Sequence, residues 1–488
     1  MEKIIEFIYL YFNYVKLSLL IYLVYQYPLM GIPLFISIKF VYDKFYKICY
    51  GLTSLRASDR MFLDLPIANK YNIVNVMRFK NSFDVKLFIS SFNKRLQILP
   101  KLRSILIRKN FDYFWKELEY SEEFINKLIE IREVDFQTKK QIFDFMEEES
   151  NIYFDLLKEI PYKFIILKNK HNNEDLLVLK TDHIFSDGLG YVSLLFGMAD
   201  NFDPSIFPFT FKFSLKETLK AYLLMPYYVI YCFYNQFVNM TKNNNPYLKN
   251  TPLTQLTGKS TKLMSKKYIL SEFTTLSKEM NITFNDLMIL IFSESFYKYY
   301  KNHIGLEEKK IKGSLTALLT VGSRNIPSQI QDVELHNDST GIPFSIPIMK
   351  DPYTSYHHIK KMIDDQVKNW PLVMNMKFIT DFLCYFISKD LFLAVVRRTP
   401  NDFIFSNVPG PKKPVFFCNS ELVDTYNSCT PGFNHTFLGV GSYNNTFRLS
   451  VYLDLCSKMN CAKLVETLEE TLESFYFNKT KKTPTHYE

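Results

Sequence analysis

Apolar positions along this chain fall into runs of different length and period. Near the N-terminus, Leu17 to Ile38 carries no charge between Lys16 and Lys39. That is long enough for a helix to cross a bilayer, which takes roughly 20 residues. Pro28 and Pro33 interrupt the run, and Lys39, Lys44 and Lys47 follow it, so the pattern predicts a kinked or re-entrant membrane helix with a cytoplasmic positive flank. A second charge-free stretch, Ala221 to Met240, mixes Tyr, Asn and Gln with its apolar residues, which suits the headgroup level better than mid-bilayer. From Gly51 onward short β-branched and aromatic runs alternate with charged amphipathic stretches, the signature of an α/β or α+β chain. Strands are predicted at Asn72 to Phe79, Leu176 to Thr181, Lys312 to Val321 and Arg448 to Leu455. Helices are predicted at Val85 to Leu99, Thr138 to Glu149, Phe284 to Tyr300 and Ala462 to Phe477.

Composition narrows the function classes. With 488 residues, 47% of them hydrophobic and 16% aromatic, the chain has material for a large core and is not disordered. Its 7 cysteines are scattered and form no Cys-x-x-Cys pair, so neither a disulfide framework nor a zinc site is expected, and the thiols read as reduced. The balance of 59 basic against 50 acidic residues gives +9, but the charges are spread out rather than gathered into a phosphate-gripping block. Nucleic acid is not an expected partner. Asn-x-Ser/Thr triplets at Asn239, Asn281, Asn337, Asn434, Asn444 and Asn478 are expected by chance in an Asn-rich chain and imply no lumenal location.

One segment carries candidate chemistry. In LVLKTDHIFSDGLGYVSLLFG, which runs from Leu177 to Gly197, a strand ends near Thr181, a tight turn follows, and an apolar helix begins near Tyr191. The turn presents His183, with Asp187 and Gly188 following after Ile184, Phe185 and Ser186. An imidazole with a pKa near neutrality is suited to taking a proton from an alcohol, so His183 is the candidate general base. Gly188 is expected to supply a backbone conformation closed to other residues.

TDHIFSDGLG resembles the His-His-x-x-x-Asp-Gly motif of the wax ester synthase/diacylglycerol acyltransferase family, with Asp182 where the first His usually stands. ASDRMFLDLP from Ala57, ILPKLRSIL from Ile98 and YFDLLKEIPYKFIIL from Tyr153 are similar to segments upstream of that motif. FNDLMIL, TVGSRN, HNDSTGIPFSIP, FSNVPGP and GVGSYNN are similar to segments downstream, in order, so the resemblance runs from about Ala57 to the last helix. FSNVPGP is the most specific, since Pro-Gly-Pro after a strand is a backbone corner.

The resemblance implies two similar lobes of the chloramphenicol-acetyltransferase type, at residues 51–205 and 266–488, with the His on a tunnel between them. Residues 1–50 would then be a membrane anchor and 206–265 a membrane-associated crossover. It implies transfer of a long-chain acyl group from acyl-CoA, a substrate rather than a cofactor, to a fatty alcohol or diacylglycerol, without metal or acyl-enzyme. Asp187 is expected to be held by an arginine and to fix the loop. Arg324 is one candidate, and Arg56, Arg60 and Arg103 are others. Asn407, Pro409, Gly410, Asn285 and Asp286 are expected at the tunnel or the lobe junction. Asp182 is expected to face solvent, with the alternative that it faces the pocket and raises the pKa of His183. Other readings are an acyltransferase for a sterol or retinoid and a silent lipid-binding homologue. The expected partner surface is a lipid bilayer, the endoplasmic reticulum membrane if the source is eukaryotic, with both lobes on its cytoplasmic face.

Overall fold

The structure is a computed structural model that describes residues 15–23 except 17, 31–201 except 64, 66–69 and 111, 203, and 214–234 except 229, 232 and 233. It further describes residues 256–386 except 312, 323, 325, 326, 328, 355 and 367–369, and 402–487 except 482 and 483. In chain order the strands of the first half are β1 (Leu52–Ser54), β2 (Asn72–Phe79), β3 (Ser104–Lys109), β4 (Asp112–Glu117), β5 (Ile129–Val134), β6 (Tyr162–Asn169) and β7 (Leu176–Asp182). Those of the second half begin with β8 (Ser260–Met264), β9 (Lys267–Ile269), β10 (Ser314–Gly322), β11 (Ser339–Pro347) and β12 (Phe403–Pro409). They continue with β13 (Phe416–Phe417), β14 (Ser420–Cys429), β15 (Thr436–Tyr443), β16 (Thr446–Asp454) and β17 (His486–Tyr487).

Two large mixed sheets organise the chain. The first has the order β13-β14-β2-β7-β6-β5. Every residue of β7 is buried, because helices cover both faces of the sheet. Leu177 and Leu179 face Phe88 and Phe92 of the helix Val85–Ile98, while Leu176 and Val178 face Ile142 and Met146 of the helix Lys139–Ser150. Each helix starts on a side-chain cap, Asp84 for one and a Thr138/Gln141 capping box for the other. The second sheet runs β11-β10-β12-β15-β16-β9-β17, with β8 also paired to β16, and the helices Phe284–Asn302 and Cys461–Thr480 share its core. The predicted elements appear within a few residues of their expected ends. Lys312 lies outside the described residues.

Strand β14 joins the halves. It comes from the second half of the chain but pairs antiparallel with β2, setting Asn427 opposite Asn75 and Tyr426 opposite Val76. Separating the lobes would expose a whole ladder of backbone donors and acceptors.

The expected N-terminal membrane helix is corrected. No helix among the described residues is long and apolar enough to cross a membrane. Residues 17 and 24–30 of the predicted span lie outside the described residues. Its last part begins a different element, the helix Gly31–Tyr50, which continues through Lys39, Asp43, Lys44 and Lys47. Those charges make a continuous apolar span of the required length impossible there, and Pro33 sits in the first turn, where its missing N–H costs nothing.

Candidate active site

His183 is the first residue beyond β7, and the turn around it is closely tied. Its N–H donates to the Tyr71 carbonyl at 2.9 Å, and the Phe185 N–H donates to the Asp182 carbonyl at 3.1 Å. Asp187 then caps the helix Gly188–Gly197 by accepting the Gly190 N–H at 2.9 Å. Strand end, turn and cap thus leave the imidazole little freedom. The Phe62 ring stacks on it at 4.2 Å between centroids, and Tyr71 meets it edge-on at 5.8 Å.

The two ring nitrogens have different surroundings. Nδ1 lies 2.9 Å from Asn337 Oδ1. His183 borders a cavity of about 820 Å³ that is lined mostly by apolar groups from both lobes. Desolvation holds the imidazole pKa below its ordinary value, opposed by the Asp187 charge, a hydrogen bond to the residue's own backbone carbonyl and the hydrogen bond to Asn337.

Asp187 is held from three sides. Arg324 Nη2 approaches its two carboxylate oxygens at 3.2 and 3.3 Å, the Asp338 N–H donates to Oδ2 at 2.7 Å, and the Gly190 N–H takes Oδ1. Arg324 also donates to the carbonyls of Glu334 and His336, pinning the segment before β11. Of the four candidate arginines, Arg324 is therefore the partner. Arg56 instead meets His336 Nε2 at 2.6 Å, Arg60 pairs with Asp112 at 2.7 Å, and Arg103 pairs with Glu117 at 2.5 Å.

Two local expectations change. Asp182 does not face solvent: it is buried and accepts the Ile184 N–H at 2.9 Å. Burial pushes its pKa up to about 7, and it is not among the groups that perturb His183. Strand alternation does turn it away from the imidazole, but into packed protein, because the sheet is covered on that side too. Gly188 is not in the left-handed region. Its reason is space, since a Cβ there would lie 3.1 Å from Val408 Cγ2.

The remaining expected positions divide. Asn407 and Gly410 border the cavity. Asn407 Nδ2 donates to Asn285 Oδ1 at 2.7 Å, joining β12 to the start of the helix Phe284–Asn302. Pro409 ends β12 opposite Ser442 of β15. Asp286 is buried as the reciprocal partner of Thr283 in a capping box, away from the cavity lining. Cys429 also lines the cavity, but burial pushes its thiol up to about 12, so thiolate is scarce at neutral pH.

Residue-level reading of the sequence missed Asp59 and Asn337. Both lie in segments noted above, ASDRMFLDLP and HNDSTGIPFSIP; the one local mark, the Asn-x-Ser triplet at Asn337, says nothing of this role, since each side chain matters through contact with the other. Asn337 Nδ2 donates to Asp59 Oδ1 at 2.8 Å and to the His183 carbonyl at 2.9 Å.

Residues 339–475 match the family described as the WS/DGAT C-terminal domain, and residues 65–201 match the condensation domain. The chain is 22% identical over 467 residues to wax ester synthase/diacylglycerol acyltransferase 4 of Arabidopsis thaliana, covering 84% of this chain and 88% of that protein. It is also 22% identical to the O-acyltransferase WSD of Acinetobacter baylyi over 178 residues, only 36% of this chain and 37% of that protein. Among solved structures, a wax ester synthase/diacylglycerol acyltransferase from Marinobacter aquaeolei VT8 superposes with a TM-score of 0.58 at 14% identity, covering 88% of this chain and 100% of that one. At that identity the likeness speaks for the two-lobe fold.

Proposed function

We propose that this chain, as a member of the wax ester synthase/diacylglycerol acyltransferase family, moves a long-chain acyl group from acyl-CoA to the hydroxyl of a fatty alcohol or diacylglycerol. The observation that carries this reading is His183, engaged through Nδ1 and bordering a largely apolar cavity between the lobes. The cavity volume, about 820 Å³, falls within the range of small-molecule sites and suits alkyl chains better than polar metabolites.

In this mechanism His183 Nε2 takes the proton of the acceptor hydroxyl as its oxygen attacks the thioester carbonyl. The tetrahedral intermediate collapses with cleavage of the carbon–sulfur bond, and the imidazolium returns the proton to the departing CoA thiolate. The products are an ester and CoA. A resting imidazole with a depressed pKa is already unprotonated at neutral pH, which the first step requires. General-base assistance of this kind contributes about 10²–10⁴-fold, and the cavity supplies orientation. An acyl-cysteine route through Cys429 is disfavoured by its raised pKa.

Surface pattern supports a bilayer as the place of work. Leu34, Ile38, Val41, Phe45 and Ile48 recur at helical spacing on the helix Gly31–Tyr50 and are exposed, with Lys39, Lys44 and Lys47 beside them. Leu215, Leu219 and Leu223 form a similar exposed row on the helix Leu215–Leu223, continued by Tyr227, Ile230 and Tyr234. Its opposite side packs on the helix Trp370–Phe386, where Asn375 Nδ2 meets the Ala221 carbonyl at 3.2 Å. Met376, Ile379 and Thr380 of that helix line the cavity. Such helices lie in an interface plane, with both lobes on the same side of the membrane.

The test is transfer from labelled palmitoyl-CoA to hexadecanol or dipalmitoylglycerol, with neutral lipids separated by thin-layer chromatography. Wild type is expected to form labelled ester and His183→Ala to lose it by about 10²-fold or more. Undiminished ester formation by a folded His183→Ala enzyme would exclude the general-base role, and an inactive wild type would favour a lipid-binding homologue.

A further inference from the structure

We propose that Asp59 and Asn337 form a positioning pair that locks the His183 imidazole with its proton on Nδ1, so that Nε2 meets the acceptor as an unprotonated base. This rests on the reading of His183 as general base and says what sets its tautomer.

The argument begins with the amide of Asn337. Its Nδ2 has two oxygen acceptors, Asp59 Oδ1 at 2.8 Å and the His183 carbonyl at 2.9 Å. Turning the amide over would set its oxygen against both, so Oδ1 must be the atom that faces the imidazole. An amide oxygen can only accept, and the contact to Nδ1 is 2.9 Å, so Nδ1 carries the proton. A neutral ring has one proton, and Nε2 is left with its lone pair.

Asp59 fixes the amide in turn. Its Oδ1 accepts the Asn337 backbone N–H as well, at 2.8 Å, and Ser58 Oγ donates to the Asn337 carbonyl at 2.7 Å. The short helix Ala57–Arg60 therefore grips one residue 278 positions away by three polar contacts, besides the contact of that residue to the ring. Asp59 is buried, and its Oδ2 has no hydrogen-bond partner among the described residues. Burial raises the Asp59 carboxyl pKa, opposed by the Lys101 charge, the two Asn337 N–H donors and the Arg56 charge; in its ionised form the group polarises the amide toward the ring and favours the imidazolium that forms during transfer. An amide between carboxylate and ring also keeps the full charge off Nδ1, so orientation is obtained without holding the resting ring protonated. Other titratable or charged groups near this chain of contacts are Asp182, Asp187, His336, Glu334, Arg324, Arg56, Lys101 and Lys377. Asp187 is held by Arg324, and Arg56 is held by His336.

The experiment compares wild type, His183→Ala, Asn337→Ala and Asp59→Asn. It measures kcat and KM for palmitoyl-CoA from pH 5 to 9, with thermal melting as the folding control. Asn337→Ala is expected to lower kcat about 10- to 100-fold, leave KM nearly unchanged and move the acid limb of the kcat profile to lower pH, because a bond that favours the charged ring is gone. Asp59→Asn keeps an acceptor for both Asn337 donors but loses the charge, so a smaller fall in kcat with a shift in the same direction is expected. Wild-type kcat and acid limb in a folded Asn337→Ala enzyme would overturn the pair, while an inactive His183→Ala enzyme would still uphold the base. Should Asn337→Ala fail to fold, Asp59→Asn decides: a shifted limb supports the pair, and a profile like wild type overturns it. Full activity of His183→Ala would instead remove the reading beneath both.

Discussion

Asp182 and His183 are neighbours in the chain, yet one is sealed in packing and the other borders the cavity. Burial acts on both in the sense that disfavours charge, raising the carboxyl to about 7 and lowering the imidazole. The consequence for Asp182 has a definite sign. The folded carboxyl keeps its proton up to about pH 7, while an unfolded chain releases it near 3.8, so the folded state binds more protons between those values and loses stability as pH rises through them. Asp182→Asn removes that ionisation and is expected to raise Tm at pH 8 and to do much less at pH 5. Melts at both values check it, and equal shifts at the two would exclude desolvation as the cause. Candidate chemistry at His183 was legible from residue types alone, but the burial of Asp182 was not, because a strand-end residue is covered or wet according to what crosses the sheet.

At the scale of elements, the corner after β12 is the most demanding feature. A Cβ at Gly410 would lie 2.3 Å from the Ser442 carbonyl oxygen, and the Gly410 N–H donates to that same oxygen at 3.0 Å. Backbone meets backbone there, so neither side can give without opening the β12–β15 pairing. At Gly188 the obstacle is a side-chain methyl of Val408 at 3.1 Å, not backbone. Gly410→Ala is therefore expected to cost about 1–3 kcal/mol or more and to lower Tm further than Gly188→Ala. Thermal melting of the two variants checks the order, and a larger loss from Gly188→Ala would contradict it. The FSNVPGP corner was visible in the sequence, since Pro and Gly restrict the backbone locally. The partner strand at Ser442 was not.

For the whole molecule, the issue is how two lobes meet at one cavity. β14 inserted beside β2, the Asp187–Arg324 pair and the Asp59–Asn337 contacts all join distant parts of the chain around His183. A single membrane crossing within residues 221–240 would pull those pairs apart; residues 229, 232, 233 and 235–240 lie outside the described residues. The exposed rows on both helices lead to a direct test. Wild type is expected to float with vesicles of phosphatidylcholine and phosphatidylserine, and Leu219→Asp with Leu223→Asp to weaken binding about 10-fold or more, since burying each leucine is worth about 1.5–3 kcal/mol. Ester formation from short-chain soluble substrates should survive those changes. Unaltered flotation of the double variant would exclude this surface as the dock.

The sequence by itself determined what depends on neighbours along the chain: the main strands and helices, the strand-turn-helix around His183 and the Pro-Gly-Pro corner. Hydrophobic period and local backbone restriction act over a few residues, so they can be read without a fold. Only the tertiary structure decided that Arg324 holds Asp187, that Asp182 is buried, that charges interrupt the expected membrane helix once it extends to Tyr50, and that Asp59 reaches Asn337. Each of these depends on which distant group shares a small volume or on where an element ends, and that is settled by packing two sheets together.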